Sequence, residues 1–248
     1  MSESFASDPA LDAGSLAALY PVPVAAAVGP CAPVDECLFP EERRHVERAV
    51  AGRRAEFLAV RERAREALAS LGGPRVALVP NADRSPTWPA GFVGSLSHSR
   101  ALCAAVVARE AHALALGLDL EPDGPLDADL VATVCTPAER RAVEAVAPAT
   151  GLRLAKRLFS AKEAFYKCQY PVTGAFLTCA QVELALEPRT GAFRVARVDL
   201  AGERGRLAAR VRGRCTVLGG HVVSAAALTS PSRAETGPEA SRAPDAGR

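Results

Sequence analysis

Eight residues, Leu114-Ala-Leu-Gly-Leu-Asp-Leu-Glu121, alternate without a break between leucine and a small or acidic side chain. A period of two suits an extended strand and no helix, so the four leucines share one face while Gly117, Asp119 and Glu121 share the other. Two carboxylates side by side on one strand face repel each other. A strand accepts them where the face is well solvated or where a cation lies between them. A half-exposed edge strand and one wall of a cation site are both open on this pattern alone.

A second pattern has helical spacing. In LRLAKRLFSAKEAFYKC, Leu154, Leu158, Ala161 and Phe165 form an apolar stripe, and Lys156, Ser160, Glu163 and Lys167 recur on another face. Glu163 is placed to add a third carboxylate and Lys167 a phosphate contact. The alternative is a Glu163–Lys167 surface pair one turn apart, contributing a few tenths of a kcal/mol. Gly94-Ser-Leu-Ser-His-Ser99 reads as a loop of small hydroxyl residues around His98, able to present several donors to a phosphate. A purely structural histidine is the alternative there. No GxSxG elbow, Walker A loop or dinucleotide GxGxxG occurs.

Around these motifs the chain reads as helices followed by strands, twice. A strand is expected over Val22–Val28, a helical stretch over Glu41–Leu71 with a break near Gly52, and short strands over Arg75–Val79 and Gly94–Leu96. Ala101–Ala108 and Ala113–Glu121 read as strands paired with each other. Thr136, Pro137 and Glu139 form a helix-capping signature. A further helix is expected over Arg153–Cys168, with strands over Ala180–Leu186, Phe193–Leu200 and Arg214–Leu228. The division is a disordered N-terminus at 1–15, an N-terminal lobe at 16–112, a C-terminal lobe with the metal site at 113–229, and a disordered tail at 230–248. The tail lacks the large apolar residues a core needs.

The 248 residues can bury a sizeable core, and 30 basic against 28 acidic side chains give no ground for a nucleic-acid partner. Seven cysteines at scattered spacings, with no CxxC, are expected to be reduced thiols of a cytoplasmic protein. No apolar run approaches the ~20 residues of a membrane span, and the acid-bearing N-terminus does not resemble a signal peptide.

GSLSHS (Gly94–Ser99), GLDLE (Gly117–Glu121) and FSAKEAFYK (Phe159–Lys167) resemble, in order and spacing, the motifs of the 4′-phosphopantetheinyl transferase superfamily. The likeness is to the Sfp type, and within it to the EntD-like bacterial branch. GRRAEFLAVRERAREAL (Gly52–Leu68) and DRSPTWPAGFVGSLSHS (Asp83–Ser99) extend it. The resemblance implies an α+β fold of two similar lobes forming an intramolecular pseudo-dimer, with coenzyme A between them. It implies Mg²⁺-dependent transfer of the 4′-phosphopantetheine arm of coenzyme A to a serine of an apo acyl or peptidyl carrier protein, releasing 3′,5′-ADP. The pathways served would be fatty acid, polyketide, nonribosomal peptide or siderophore synthesis.

By the same resemblance, Asp119, Glu121 and Glu163 are the metal ligands and His98 meets a coenzyme A phosphate. Arg53, Arg61, Arg65, Arg84, Ser97 and Lys167 are the other coenzyme A contacts. Glu163, Lys167 and His98 carry the catalysis, with Glu163 taking the serine proton. The acidic carrier is expected on Arg140, Arg141, Arg153, Lys156, Arg157 and an apolar loop from Tyr170 to Leu177. A monomer is expected. A metal-dependent phosphohydrolase and a non-catalytic carrier-binding protein are the rival readings.

Overall fold

A computed structural model of the chain describes residues 9–31, 39–99 and 102–230. It has two lobes, each built from a long helix laid on an antiparallel sheet. The first contains β1 (Ala25–Pro30), α2 (Pro40–Arg43), α3 (Ala51–Ser70), β2 (Phe92–Ser99) and β3 (Leu102–Arg109), preceded by the short α1 (Ala13–Ala17). Its sheet has the order β1-β3-β2, and α3 buries Ala64, Ala67 and Leu68 against Ala105 and Val107 of β3. The second contains β4 (Ala113–Pro122), α4 (Val131–Val134), α5 (Pro137–Glu144), α6 (Pro148–Thr173), β5 (Val182–Leu186), β6 (Ala192–Val198), α7 (Gly202–Ala209), β7 (Arg212–Leu218) and β8 (His221–Thr229). Its sheet runs β4-β8-β7-β6-β5.

The alternation in β4 decides how the lobes meet. Leu116, Leu118 and Leu120 enter a core shared with Ala104, Val106 and Ala108 of β3 and with Val223, Ala225 and Ala227 of β8. The odd-numbered side chains therefore face α6, whose Ala155, Leu158, Ala161, Ala164 and Phe165 fill the second core. Gly117 allows that approach, because a Cβ there would strike the carbonyl oxygen of Ala164. Between the sheets, β2 contributes hydroxyls where a strand partner would contribute carbonyls. The N–H of Leu118 donates to Ser95 Oγ at 3.0 Å and that of Leu120 to Ser97 Oγ at 3.1 Å. Two backbone donors of β4 are satisfied this way inside the lobe interface.

Several sequence expectations need correction. β3 and β4 do not pair; β3 lies between β1 and β2, and β4 pairs with β8. Residues 75–79 form no strand, and one isolated bridge joins Pro80 to Pro86. The SHS motif stands in β2 rather than in a loop. The expected last strand is a hairpin, turned at Gly219 and Gly220, whose positive φ values of 55° and 72° suit glycine. Residues 9–15 are built into the fold: Asp12 caps α1 through Ser15, and Pro9 accepts from the N–H of Gly219 at 2.9 Å. Ser230 donates to the carbonyl of Glu110 at 2.7 Å. Residues 1–8 and 231–248, the rest of the expected disordered ends, lie outside the described residues. Cys31 and Cys103, expected as thiols, are joined as a disulfide, because the β1–β3 register sets Gly29 opposite Cys103 and leaves Cys31 beside it. Cys135, Cys168, Cys179 and Cys215 are free.

Candidate active site

Helix α6 and strand β4 together position the acids. Asp119 is buried, and its Oδ1 accepts from Lys167 Nζ at 2.8 Å. The same ammonium donates to the carbonyl of Leu118 at 2.9 Å and reaches Ser97 Oγ at 3.4 Å. Lys167 thus joins α6, β4 and β2 at one point. The Glu163–Lys167 surface pair is replaced by this cross-element pair, since β4 supplies a better-buried carboxylate. Glu121 pairs with Lys156, Oε2 to Nζ at 2.6 Å. The Glu163 carboxyl is pushed above the usual carboxylate range, first by burial and then by the charge of Asp119, with Glu121 adding and Lys167 opposing.

A cleft of about 1000 Å³ opens between the lobes, at the upper end of the size usual for small-molecule sites. The first lobe lines it with Arg53, Phe57, Arg61, Arg84, Trp88 and His98, and the second with Tyr166, Lys167 and Tyr170. Arg53 stands 3.2 Å from His98 Nε2, and Glu56 lies 3.8 Å from the same nitrogen. Burial is the main reason the His98 pKa falls below 6.5; the charge of Glu56 opposes it, while Arg53 and Lys167 push further down. His98 is therefore neutral at pH 7 and able to accept the Arg53 N–H. Arg61 stacks over Phe57 with its guanidinium carbon 3.3 Å from the ring centroid. It donates to the carbonyl of Leu78 at 2.6 Å, and burial lowers its pKa to about 10, so it stays charged.

A second hollow of about 280 Å³ adjoins the cleft: Tyr166 lines both, Glu163 the hollow and Lys167 the cleft, so these three residues form the ridge between them. Glu163, Phe165, Tyr166, Phe176, Leu177 and Cys179 line it. Phe176 is 77% exposed and meets Tyr166 edge-on. The apolar loop expected from Tyr170 begins only at Gly174, since α6 continues to Thr173 with Pro171 inside it.

Comparison with known proteins agrees with this two-lobed arrangement. Residues 41–108 match the model of the 4′-phosphopantetheinyl transferase N-terminal domain, and residues 115–214 match that of the 4′-phosphopantetheinyl transferase superfamily. The 4′-phosphopantetheinyl transferase Svp of Streptomyces mobaraensis is 42% identical over 78% of this chain and 80% of its own. PptT of Mycobacterium tuberculosis is 36% identical over 77% and 86%, and Npt of Nocardia iowensis 36% over 64% and 71%. The chain belongs to the 4′-phosphopantetheinyl transferase superfamily. Within the superfamily it is an Sfp-type enzyme.

For this transferase, two expected coenzyme A contacts have other duties. Arg65 is fully buried, held by Glu42 at 2.7 Å and Glu62 at 2.9 Å, and does not line the cleft. Position 65 turns inward beside buried Ala64 and Leu68, whereas Arg53 and Arg54 of the same helix are exposed, a distinction that arginine-rich composition conceals. Ser97 accepts the N–H of Leu120 in the lobe joint. Lys162, next to Glu163, is buried against Glu139 at 2.6 Å and donates to the carbonyls of Val134 and Cys179. Glu139 is also the N3 residue of the capping box and accepts the N–H of Leu184, so α5, α6 and β5 meet on one carboxylate. Tyr166 was not among the expected site residues, and Tyr170, expected on the carrier-facing loop, lines the cleft. Their spacing from Glu163 and Lys167 along one helix face was the available signal.

Asp119, Glu121 and Glu163 are hard oxygen donors close enough for their charges to act on one another, which suits Mg²⁺ in kind. They do not form a ready-made centre: no three His, Cys, Asp or Glu side chains are grouped to hold an ion among the described residues. The reason is local, since Lys167 and Lys156 hold two of the three carboxylates.

Proposed function

We propose that the large cleft holds coenzyme A, and that a carrier-protein serine enters from the smaller hollow to meet its pyrophosphate at the Glu163–Lys167 ridge. The enzyme transfers the 4′-phosphopantetheine arm of coenzyme A to carrier proteins. The observation that carries the site assignment is Lys167. It lines the cleft, pairs with Asp119 and reaches Ser97, so one cation ties both lobes to the place where phosphate charge would build up.

Asp119, Glu121 and Glu163 would hold Mg²⁺, which supplies charge neutralisation on the pyrophosphate oxygens. Arg53, Arg61 and Arg84 offer guanidinium donors to the phosphates, and the Arg61 guanidinium is already fixed by Phe57 and Leu78. Neutral His98 receives one Arg53 N–H and so orients that guanidinium. Lys167, paired with Asp119, stabilises the leaving 3′,5′-ADP phosphate. Glu163 would accept the serine proton, directly or through a water. Phe176, Tyr166 and the basic residues Arg140, Arg141, Arg153, Lys156 and Arg157 form the carrier-facing side. Arg153 and Lys156 are already paired there with Asp123 and Glu121.

Titrating coenzyme A into the wild-type protein and into Lys167→Ala and Arg53→Ala by calorimetry tests the cleft. Roughly tenfold weaker binding is expected for each, the scale of a lost hydrogen bond to a charged group. Equal affinity in both variants would move coenzyme A elsewhere. The compartment is proposed to be the cytoplasm; among the described residues no helix is long and apolar enough to cross a membrane.

A further inference from the structure

Asp119 has two oxygens, and the site described above uses only one. Oδ1 faces Lys167, while Oδ2 is buried and has no hydrogen-bond partner among the described residues. Among the serine hydroxyls that share that condition, Ser160 Oγ and Ser224 Oγ are the two on residues with no exposed surface.

Register brings all three together. In the β4–β8 ladder, Asp119 lies directly opposite Ser224. Residues opposite one another in an antiparallel pair share a face, with Cβ atoms ~5 Å apart. The neighbours identify that face as the one toward α6, since Val222, Ala226 and Leu228 enter the α6 core.

Ser160 arrives from the helix side. Cys168 Sγ donates to the carbonyl of Ala115, and the carbonyl of Ala164 covers Gly117. Each step of four residues back along α6 therefore matches two residues forward along β4. The spacing supports this, because four helical residues rise ~6 Å and two strand residues ~6.7 Å. The next step sets Ser160 over Asp119. A buried helical serine ordinarily satisfies its hydroxyl on the carbonyl one turn back; Ser160 does not.

We infer that Ser160 and Ser224 are positioning residues for Asp119, their hydroxyls linked to Oδ2 through one enclosed water that fixes the carboxylate plane. Three buried polar atoms without direct partners would be costly if separate, and grouped as these are they can be satisfied together by one water. Fixing Oδ2 from behind commits Oδ1 to the side facing Lys167 and Glu163. The inference rests on the reading of Asp119 as a metal ligand, and partners of a ligating carboxylate typically change metal affinity 10–100-fold when removed.

The test is Mn²⁺ binding followed by electron paramagnetic resonance on the wild-type full-length protein, Ser160→Ala, Ser224→Ala, the double variant and Asp119→Ala. The Mg²⁺ concentration for half-maximal activity and the KM for coenzyme A and for carrier are measured alongside. The double variant is expected to bind Mn²⁺ roughly tenfold more weakly and to need correspondingly more Mg²⁺, with both KM values unchanged at saturating metal. A merely structural pair would leave metal affinity alone. Ser224→Thr and Ser224→Val, which match in shape and differ in the hydroxyl, separate the hydrogen bond from packing. The threonine variant should keep the higher affinity, and equal affinities for the two would overturn the inference. A folded double variant with wild-type Mn²⁺ affinity would also overturn it, provided Asp119→Ala has lost binding. If Asp119→Ala itself binds Mn²⁺ like the wild type, the metal-site reading is the one that fails.

Discussion

Arginines that look alike in the sequence divide into two kinds once their surroundings are known. Arg65 sits inside the first lobe with Glu42, whose Oε1 also accepts the N–H of Leu78. Arg65→Ala strands that carboxylate and should cost about 3–5 kcal/mol of stability in a denaturant titration, leaving the coenzyme A affinity of the remaining folded protein unchanged. Arg53 should behave in the opposite way, as its side chain is 57% exposed at the mouth of the cleft. A second contrast separates the adjacent residues Lys162 and Glu163. Lys162→Met leaves Glu139 buried without its cation and should destabilise by a similar amount. Glu163→Gln should keep the melting temperature close to wild type and lower kcat by at least 10²-fold, the usual scale for a general base. His98 gives a pH signature. Its folded pKa is depressed, so the folded state resists protonation and stability is full above 6.5, then falls as pH drops through the lower folded value. His98→Gln should flatten that acid-side decline in a pH series of melting temperatures.

At the scale of elements, β4 was legible because strict alternation assigns faces independently of context. Leu116, Leu118 and Leu120 went to one side and the acids to the other, while a register shift between Ala113 and Ala115 left Leu114 exposed and out of that core, against the expectation for all four leucines. The Thr136–Glu139 cap was equally local and is present. The partner of β4 was not legible. Adjacent strands in sequence usually pair, yet β4 leaves β3 for β8 because its leucines seal the space between the sheets. The SHS segment was misjudged for a related reason. Its small residues suggest a loop, but Ser95 and Ser97 act as acceptors for β4 and make a strand surface that another sheet can approach. Gly117 records the closeness of α6, and Gly117→Ala should cost about 1–3 kcal/mol or more by overpacking against Ala164. The thiols beneath that contact should be inert. Burial pushes the Cys215 thiol up to about 11 and the Cys168 thiol higher still, so neither should react with iodoacetamide in the native protein at pH 8.

For the whole molecule, the two lobes are separate sheets joined by hydroxyls, a leucine core and Lys167, and the cleft is the space this joint leaves open. The three acids were readable as a group only through the resemblance, since Glu163 lies 42 residues beyond Glu121 in sequence. That two of them would be held by lysines could not be read from spacing, because Lys156 and Lys167 project from different turns toward different carboxylates. On the proposed site, activation of a carrier protein would depend on both lobes and on all three acids at once. The decisive measurement is the mass of an apo carrier protein after incubation with the enzyme, coenzyme A and Mg²⁺. The account predicts a gain of one phosphopantetheine by the wild type and almost none with Asp119→Ala, Glu121→Ala or Glu163→Ala. An unmodified carrier across a panel of acyl and peptidyl carriers, or undiminished transfer by any of the three variants, would contradict it.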